Sequence, residues 1–206
     1  MKVLLVNGSP RAKGNTSIAL NEMIKVFEAE GVETKYLHIG NKVIRGCVAC
    51  QNCFKLGRCV FDDVVNEVAP YFMEAEGFVI GSPVYYGSPN GTMLAFLDRL
   101  FYSTFTKDKT GKVGAGVVVS RRGGSSAAFD VLNKYMAMTN MTIAGSQYWN
   151  MVYGMEPGEA TQDAEGLQTM RTLARNMTFL MRSIALGKEK YGLPKVEPWT
   201  PTHFIR

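Results

Sequence analysis

Outside one short window the 206-residue sequence contains no cysteine; Cys47, Cys50, Cys53 and Cys59 all lie within it. A disulfide scaffold distributed over the chain is thereby excluded, and metal or redox chemistry becomes the expected reason for the clustering. Histidine is nearly missing: His38 and His203 have no acidic neighbour in sequence, and both read as structural. No apolar run approaches the ~18 residues of a membrane helix, and the opening Met1-Lys2-Val3-Leu4-Leu5-Val6 is too short for a signal-peptide core. A cytoplasmic protein with no membrane partner is expected. An acidic surplus is also missing, since 23 Lys+Arg against 18 Asp+Glu leave a formal charge of +5. Apart from Arg121-Arg122 and the Lys107, Lys109, Lys112 group, the cations are scattered and form no dense stripe. No nucleic-acid partner is expected, and a small anionic ligand is the better use for this mild field. Repeats, low-complexity tracts and linkers are absent as well.

What is present is a soluble-protein composition, 46% hydrophobic and 20% charged, over a length that suits one domain. Short apolar runs alternate with segments of helical period. Strands are predicted at 2–6, 33–39, 77–82, 112–119 and 142–149. Helices are predicted from about residue 16 to Gly31, from an Asp62 N-cap through a kink or break at Pro70, and then at 92–102, 125–139 and 163–186. The alternation predicts an α/β fold, a doubly wound five-stranded parallel sheet with strand order 2-1-3-4-5. The domain spans 1–186 with a cysteine-rich loop at 40–61, and 187–206 is an irregular C-terminal tail holding Pro194, Pro198 and Pro201.

Ligands of open α/β sheets bind beyond the carboxyl ends of the strands, and three loops meet there. The first, residues 7–17, is rich in glycine and hydroxyls and leads from a buried strand into a helix start, which suits a phosphate group. It is not a Walker loop, because five residues separate Gly8 from Gly14 and Asn15 stands where lysine is needed. It also lacks G-x-G-x-x-G, so it reads as a terminal-monophosphate cradle. The second loop, 82–91, places Tyr85 and Tyr86 between prolines and glycines, which suits a flat ring. The third, 120–125, combines Arg121 and Arg122 with Gly123 and Gly124, letting backbone approach an anionic ligand closely. Of the twelve methionines, the eight between 136 and 181 are expected mainly in the core, with a few at the pocket floor.

Gly8-Ser9-Pro10-Arg11 with Gly14-Asn15-Thr16, then Gly81-Ser82-Pro83-Val84-Tyr85-Tyr86, then Phe96-Leu97-Asp98-Arg99 resemble the NADPH-dependent FMN reductase branch of the flavodoxin-like superfamily. Cys47-x2-Cys50-x2-Cys53-x5-Cys59 followed by Asp62-Asp63 resembles the iron–sulfur flavoproteins within it. The resemblance runs to about residue 186. It implies FMN phosphate at Ser9, Arg11, Asn15, Thr16 and Ser17. It places the isoalloxazine against Pro83, Val84, Tyr85, Tyr86, Gly87 and against Ser120, Arg122, Gly123, Gly124. It further implies a homodimer or homotetramer with the flavin near a subunit interface, where Tyr148, Trp149 or Trp199 would approach the ring from a neighbour.

The thiols leave three states open: a [4Fe–4S] cluster, a structural zinc, or a cysteine loop carrying no metal. The function implied is an FMN-dependent NAD(P)H oxidoreductase, with a small-molecule or ferredoxin-like acceptor and no side chain assigned as general acid or base. The alternative is a flavodoxin-like electron carrier without nicotinamide-dependent activity, which the basic charge balance disfavours. A phosphate-binding regulatory module is the third reading.

Overall fold

Strand β1 (Lys2–Asn7) sends Val3 and Leu5 into one core and Leu4 and Val6 into another. Burial on both faces explains its continuous apolar run, the pattern of a parallel strand covered by helices on each side. The computed structural model describes residues 1–205. After β1 come α1 (Asn15–Ala29), β2 (Glu33–His38), α2 (Cys53–Leu56) and α3 (Val64–Glu74). Then follow β3 (Gly77–Tyr85), β4 (Ser88–Pro89), α4 (Gly91–Ser103), β5 (Val113–Ser120) and α5 (Ser125–Met138). The chain closes with β6 (Thr142–Ile143), β7 (Met151–Tyr153), a 3-10 turn (Glu159–Gln162) and α6 (Ala164–Tyr191). Strand order is β2-β1-β3-β5-β6, with β7 continuing along β5 beyond β6 and β4 antiparallel to the end of β3. Apart from β4, the pairings are parallel.

Helices α1 and α6 cover one face, where Leu20, Met23, Phe27, Met170, Leu173 and Met177 meet Val3, Leu5, Val79 and Val117. Helices α3, α4 and α5 cover the other, where Phe72, Phe96, Leu100 and Leu132 meet Leu4, Val6, Phe78 and Ile80. Among the described residues, no helix is long and apolar enough to cross a membrane.

The expected α/β architecture is present, with four departures in detail. The sheet has seven strands rather than five, because the two-residue β4 is added and the last strand is split. Residues 145–149 leave the ladder: Ser146 Oγ donates to Tyr148 O at 2.5 Å, and Asn150 Nδ2 occupies Gly116 O at 3.1 Å. Such local polar bonds compete with strand pairing. The N-cap of α3 is Asp63, whose Oδ1 accepts from Val65 N at 3.1 Å, not Asp62, which pairs with Arg58. Helix α3 runs through Pro70 without a break. Helix α6 passes the expected end at residue 186 and stops at Tyr191, where Gly192 takes φ 76° and Lys188 and Lys190 favour the helix C-terminus.

Candidate functional site

Beyond the carboxyl ends of β1, β3 and β5 lies a cavity of about 190 Å³. It brings together Ser9, Arg11, Asn15 and Thr16 from the first loop, Pro83, Val84 and Tyr85 from the second, and Ser120 from the third. Pro10, Gly14, Val119 and Arg121 also line it. Ser17, Tyr86, Gly87, Arg122, Gly123 and Gly124 are not among its lining residues. Gly154 and Met155 are, and sequence reasoning missed them because the last strand was drawn to end at 149. With that strand ending at Tyr153, the following residues would have fallen on the ligand edge.

The first loop is rigid because its own polar groups are paired. Asn7, fully buried, accepts from Ser9 N at 2.8 Å and donates to Tyr36 OH at 2.7 Å. Tyr36 OH donates on to Ser17 Oγ at 3.3 Å, which also accepts from Asn21 Nδ2 at 3.2 Å. Arg11 N donates to Ser9 Oγ, and Gly14 N to Arg11 O, closing the turn before α1. The N-cap of α1 is Gly14, which as a glycine has no side chain to cap the first-turn N–H groups. Those amides, with Ser9, Thr16 and Arg11, form a donor-rich cradle for an anion. His38 donates from Nε2 to Ser9 O at 2.7 Å, which gives this histidine a positioning role. Behind the same carbonyl sits Gly40, where a Cβ would lie 1.9 Å from Ser9 O, so only glycine fits. The Asn15 side chain is engaged with the 154–160 segment: Oδ1 accepts from Gly158 N and Ala160 N, each at 3.2 Å, and Nδ2 donates to Glu156 O at 3.0 Å. It thereby ties the 154–160 wall to the start of α1.

The second loop is a tight hairpin. Tyr85 pairs with Ser88, and the two residues between them, Tyr86 and Gly87, have φ of 51° and 74°. Positive φ at both is the signature of a type I′ turn. It holds the fully exposed Tyr86 in a conformation rare for an aromatic. Gly124, at φ 88°, packs against Gly87 Cα, and this contact joins the second and third loops outside the cavity. Ser82 and Asn90 lock the base of the hairpin to Gly8 O through Asn90 Nδ2 at 2.7 Å. Tyr148 and Trp149 pack with tilted rings, centroids 5.4 Å apart, on an exposed segment, and Trp199 packs edge-on against Phe105.

The cysteine segment forms a second site beside α4. All four thiols line one cavity with Phe61, Arg99 and Tyr102. Cys47 and Cys50 are exposed, whereas Cys53 and Cys59 are half-buried. Among the described residues, no three His, Cys, Asp or Glu side chains converge as they would on a single ion. Two non-glycine residues between the first cysteines, Ala49 and Gln51, take φ of 52° and 60°. Burial pushes the Cys53 thiol up, and the neighbouring thiols add to the shift. Cys59 is held differently: Asn66 pairs with both its N–H and its C=O, and Arg99 donates to its sulfur. A thiol quartet around one cavity with a cationic donor on one sulfur fits an iron–sulfur cluster bound by four cysteines.

Residues 1–156 match the family described as NADPH-dependent FMN reductase. An iron–sulfur flavoprotein of Methanocaldococcus jannaschii is 30% identical over 191 residues, covering 89% of this chain and 99% of that protein. Among solved structures, RosB with a bound riboflavin-5′-phosphate intermediate superposes with TM-score 0.73 at 15% identity, covering 100% of this chain and 94% of that one. An archaeal flavodoxin superposes with TM-score 0.60 at 16% identity, covering 88% and 99%. Both structures share the flavodoxin-like fold with this chain.

Proposed function

The chain belongs to the NADPH-dependent FMN reductase family, and from that membership we propose an FMN-dependent NAD(P)H oxidoreductase whose cysteine loop holds a [4Fe–4S] cluster. The observation that carries this reading is the donor-rich cavity at the ends of β1, β3 and β5, with a thiol-lined cavity beside α4. FMN, when bound, supplies two-electron redox chemistry with a nicotinamide donor. The cluster, held by Cys47, Cys50, Cys53 and Cys59, would supply one-electron steps toward a small-molecule or ferredoxin-like acceptor.

The protein's own contribution is binding and orientation. Ser9, Thr16 and the first amides of α1 hold the phosphate, and Arg11 and Arg121 add positive charge at the same cavity. Val84, Tyr85 and Ser120 present the wall for the ring, and Asn15 fixes the opposite wall through the 154–160 segment. To Tyr86, at the hairpin tip, and to the 120–124 loop we assign the rim of the site, toward a ring edge or a nicotinamide. We assign the oligomer to a homodimer or homotetramer, with Tyr148, Trp149 or Trp199 available to a neighbour's site.

The test is anaerobic purification followed by an absorption spectrum, flavin extraction, and iron and sulfide assays. One FMN per chain with about four irons and four sulfides supports the reading. A chain that takes up no FMN overturns it, and flavin bands without iron remove the cluster alone. Steady oxidation of NADH or NADPH with free flavin or quinone separates an enzyme from a flavodoxin-like carrier.

A further inference from the structure

Arg99 is the largest fully buried side chain in the molecule, 2% exposed, and it projects from α4 into the cysteine cavity. Its Nη1 and Nη2 fork onto the Asp63 carboxylate at 2.6 and 2.9 Å. Nη2 also reaches Phe61 O at 3.1 Å, and Nη1 reaches Arg45 O at 3.5 Å. The remaining N–H, on Nε, goes to sulfur at 3.3 Å from Cys59 Sγ, and Nη2, whose hydrogens already face Asp63 and Phe61, lies 3.2 Å from the same sulfur. A purely structural arginine would aim buried donors at oxygen, because a neutral thiol is a weak acceptor. Turning Nε and the edge of a buried guanidinium onto one sulfur suits a sulfur that carries negative charge, as a metal-bound thiolate does. The Cys59 backbone is clamped independently, with Asn66 Oδ1 accepting from its N–H at 2.9 Å and Asn66 Nδ2 donating to its C=O at 3.0 Å. Cys53, by contrast, faces the carbonyl of Tyr102 at 3.9 Å, and Cys47 and Cys50 stand exposed.

We infer that Arg99 is a positioning residue for the cysteine cavity, fixing Cys59 Sγ and raising the reduction potential of the cluster through its Nε–H···S hydrogen bond and the buried guanidinium charge beside the sulfur. The inference rests on the cluster reading above. One-electron reduction adds negative charge that spreads onto the ligand sulfurs, so donors and a buried cation favour the reduced form. Lysine would keep the charge and the Asp63 pair. As a point donor it cannot fork across a carboxylate and a sulfur at once.

The experiment is a dithionite titration with redox mediators, followed by EPR, on anaerobically purified wild type and R99K. FMN, iron and sulfide are assayed in each. Loaded R99K is expected to reduce at lower potential, with a reduction equilibrium at least about tenfold less favourable, or about 59 mV for a one-electron couple. Loss of iron from R99K with FMN retained also supports the inference, since the flavin cavity is separate. Loaded R99K with an unchanged potential overturns it and leaves the cluster reading intact. A wild-type chain that takes up no iron and sulfide removes both. Should R99K not fold, pulsed EPR of reduced wild type grown with 15N-arginine decides: a 15N coupling at the cluster supports the inference, and none overturns it.

Discussion

The two cavities are built on opposite principles. The one at the sheet edge is made by topology: three strand ends converge there, and Asn7, Asn90 and His38 pair backbone groups within it at 2.7–2.8 Å. The thiol cavity is made by an insertion after β2 that has one short helix, α2, and two non-glycine residues at positive φ. Its order comes from side chains outside it, above all Arg99 on α4 with Asp63 and Asn66 on its far flank. A parallel sheet supplies a binding edge as a by-product of its connectivity, whereas an irregular loop must be held by named side chains.

The largest effect should come from breaking that hold. Asp63→Ala leaves the Arg99 charge buried without its carboxylate and removes the α3 N-cap. A loss of about 3 kcal/mol is expected in urea unfolding of the chain. If Asp63→Ala unfolds like wild type, the cysteine segment is held by something other than the Arg99 pair.

The next test lies on the turn after α4, which carries Phe105 against Phe54 of the cysteine segment. Lys109 is buried there, with Nζ on Thr104 O at 2.5 Å and Lys107 O at 2.9 Å, and burial lowers it to about 8 from 10.5. Between those values the unfolded chain binds more protons than the folded one, so stability rises with pH across that window. The Lys109 cost is fully present below the window and gone above it. Its total is at most about 3 kcal/mol. Urea midpoints from pH 7 to 10.5 should climb in wild type and climb less in Lys109→Met. Lys112, also lowered by burial, adds to the slope, whereas Cys53 and Tyr135, both raised by burial, oppose it at the alkaline end of the range.

At the sheet edge the expected effects are smaller and appear in ligand affinity. Gly40→Ala drives a Cβ onto Ser9 O and should cost about 1–3 kcal/mol of stability while weakening FMN binding, read by flavin fluorescence titration. Asn15→Asp keeps the acceptor for Gly158 and Ala160 but loses the donor to Glu156 O and adds negative charge at the cavity. An FMN affinity about tenfold weaker is expected, equivalent to about 1.4 kcal/mol. An unchanged affinity would mean that the 154–160 wall does not contribute to the ligand site.

The same contrast explains what could be read from sequence. Strand β1 and helix α1 were legible because burial on two faces and on one stripe each leaves its own period. The cradle at 9–16 was legible because glycine and hydroxyls between a strand and a helix have few other uses. The split of β6 from β7 was not, since Gly145-Ser146-Gln147 lies between apolar residues that a single strand also accommodates, and the Asn150 side-chain amide that takes Gly116 O is bonded 34 residues away in sequence. Arg99 closes the Phe96-Leu97-Asp98-Arg99 motif, but sequence does not name its partners, because Cys59 and Asp63 lie 40 and 36 residues away. Asn15 illustrates the same blindness, as its side chain bonds 141 to 145 residues downstream.

The placement of Gly40 and Asn66 has an engineering consequence. One lies against Ser9 at the upstream end of the cysteine segment, and the other grips Cys59 and Phe61 near its downstream end. The segment between is therefore a cassette clamped at both ends, while the strands of the sheet pair without it. Loops of other length, bearing other metal ligands or none, could be grafted between these two clamps while the flavin edge keeps its shape.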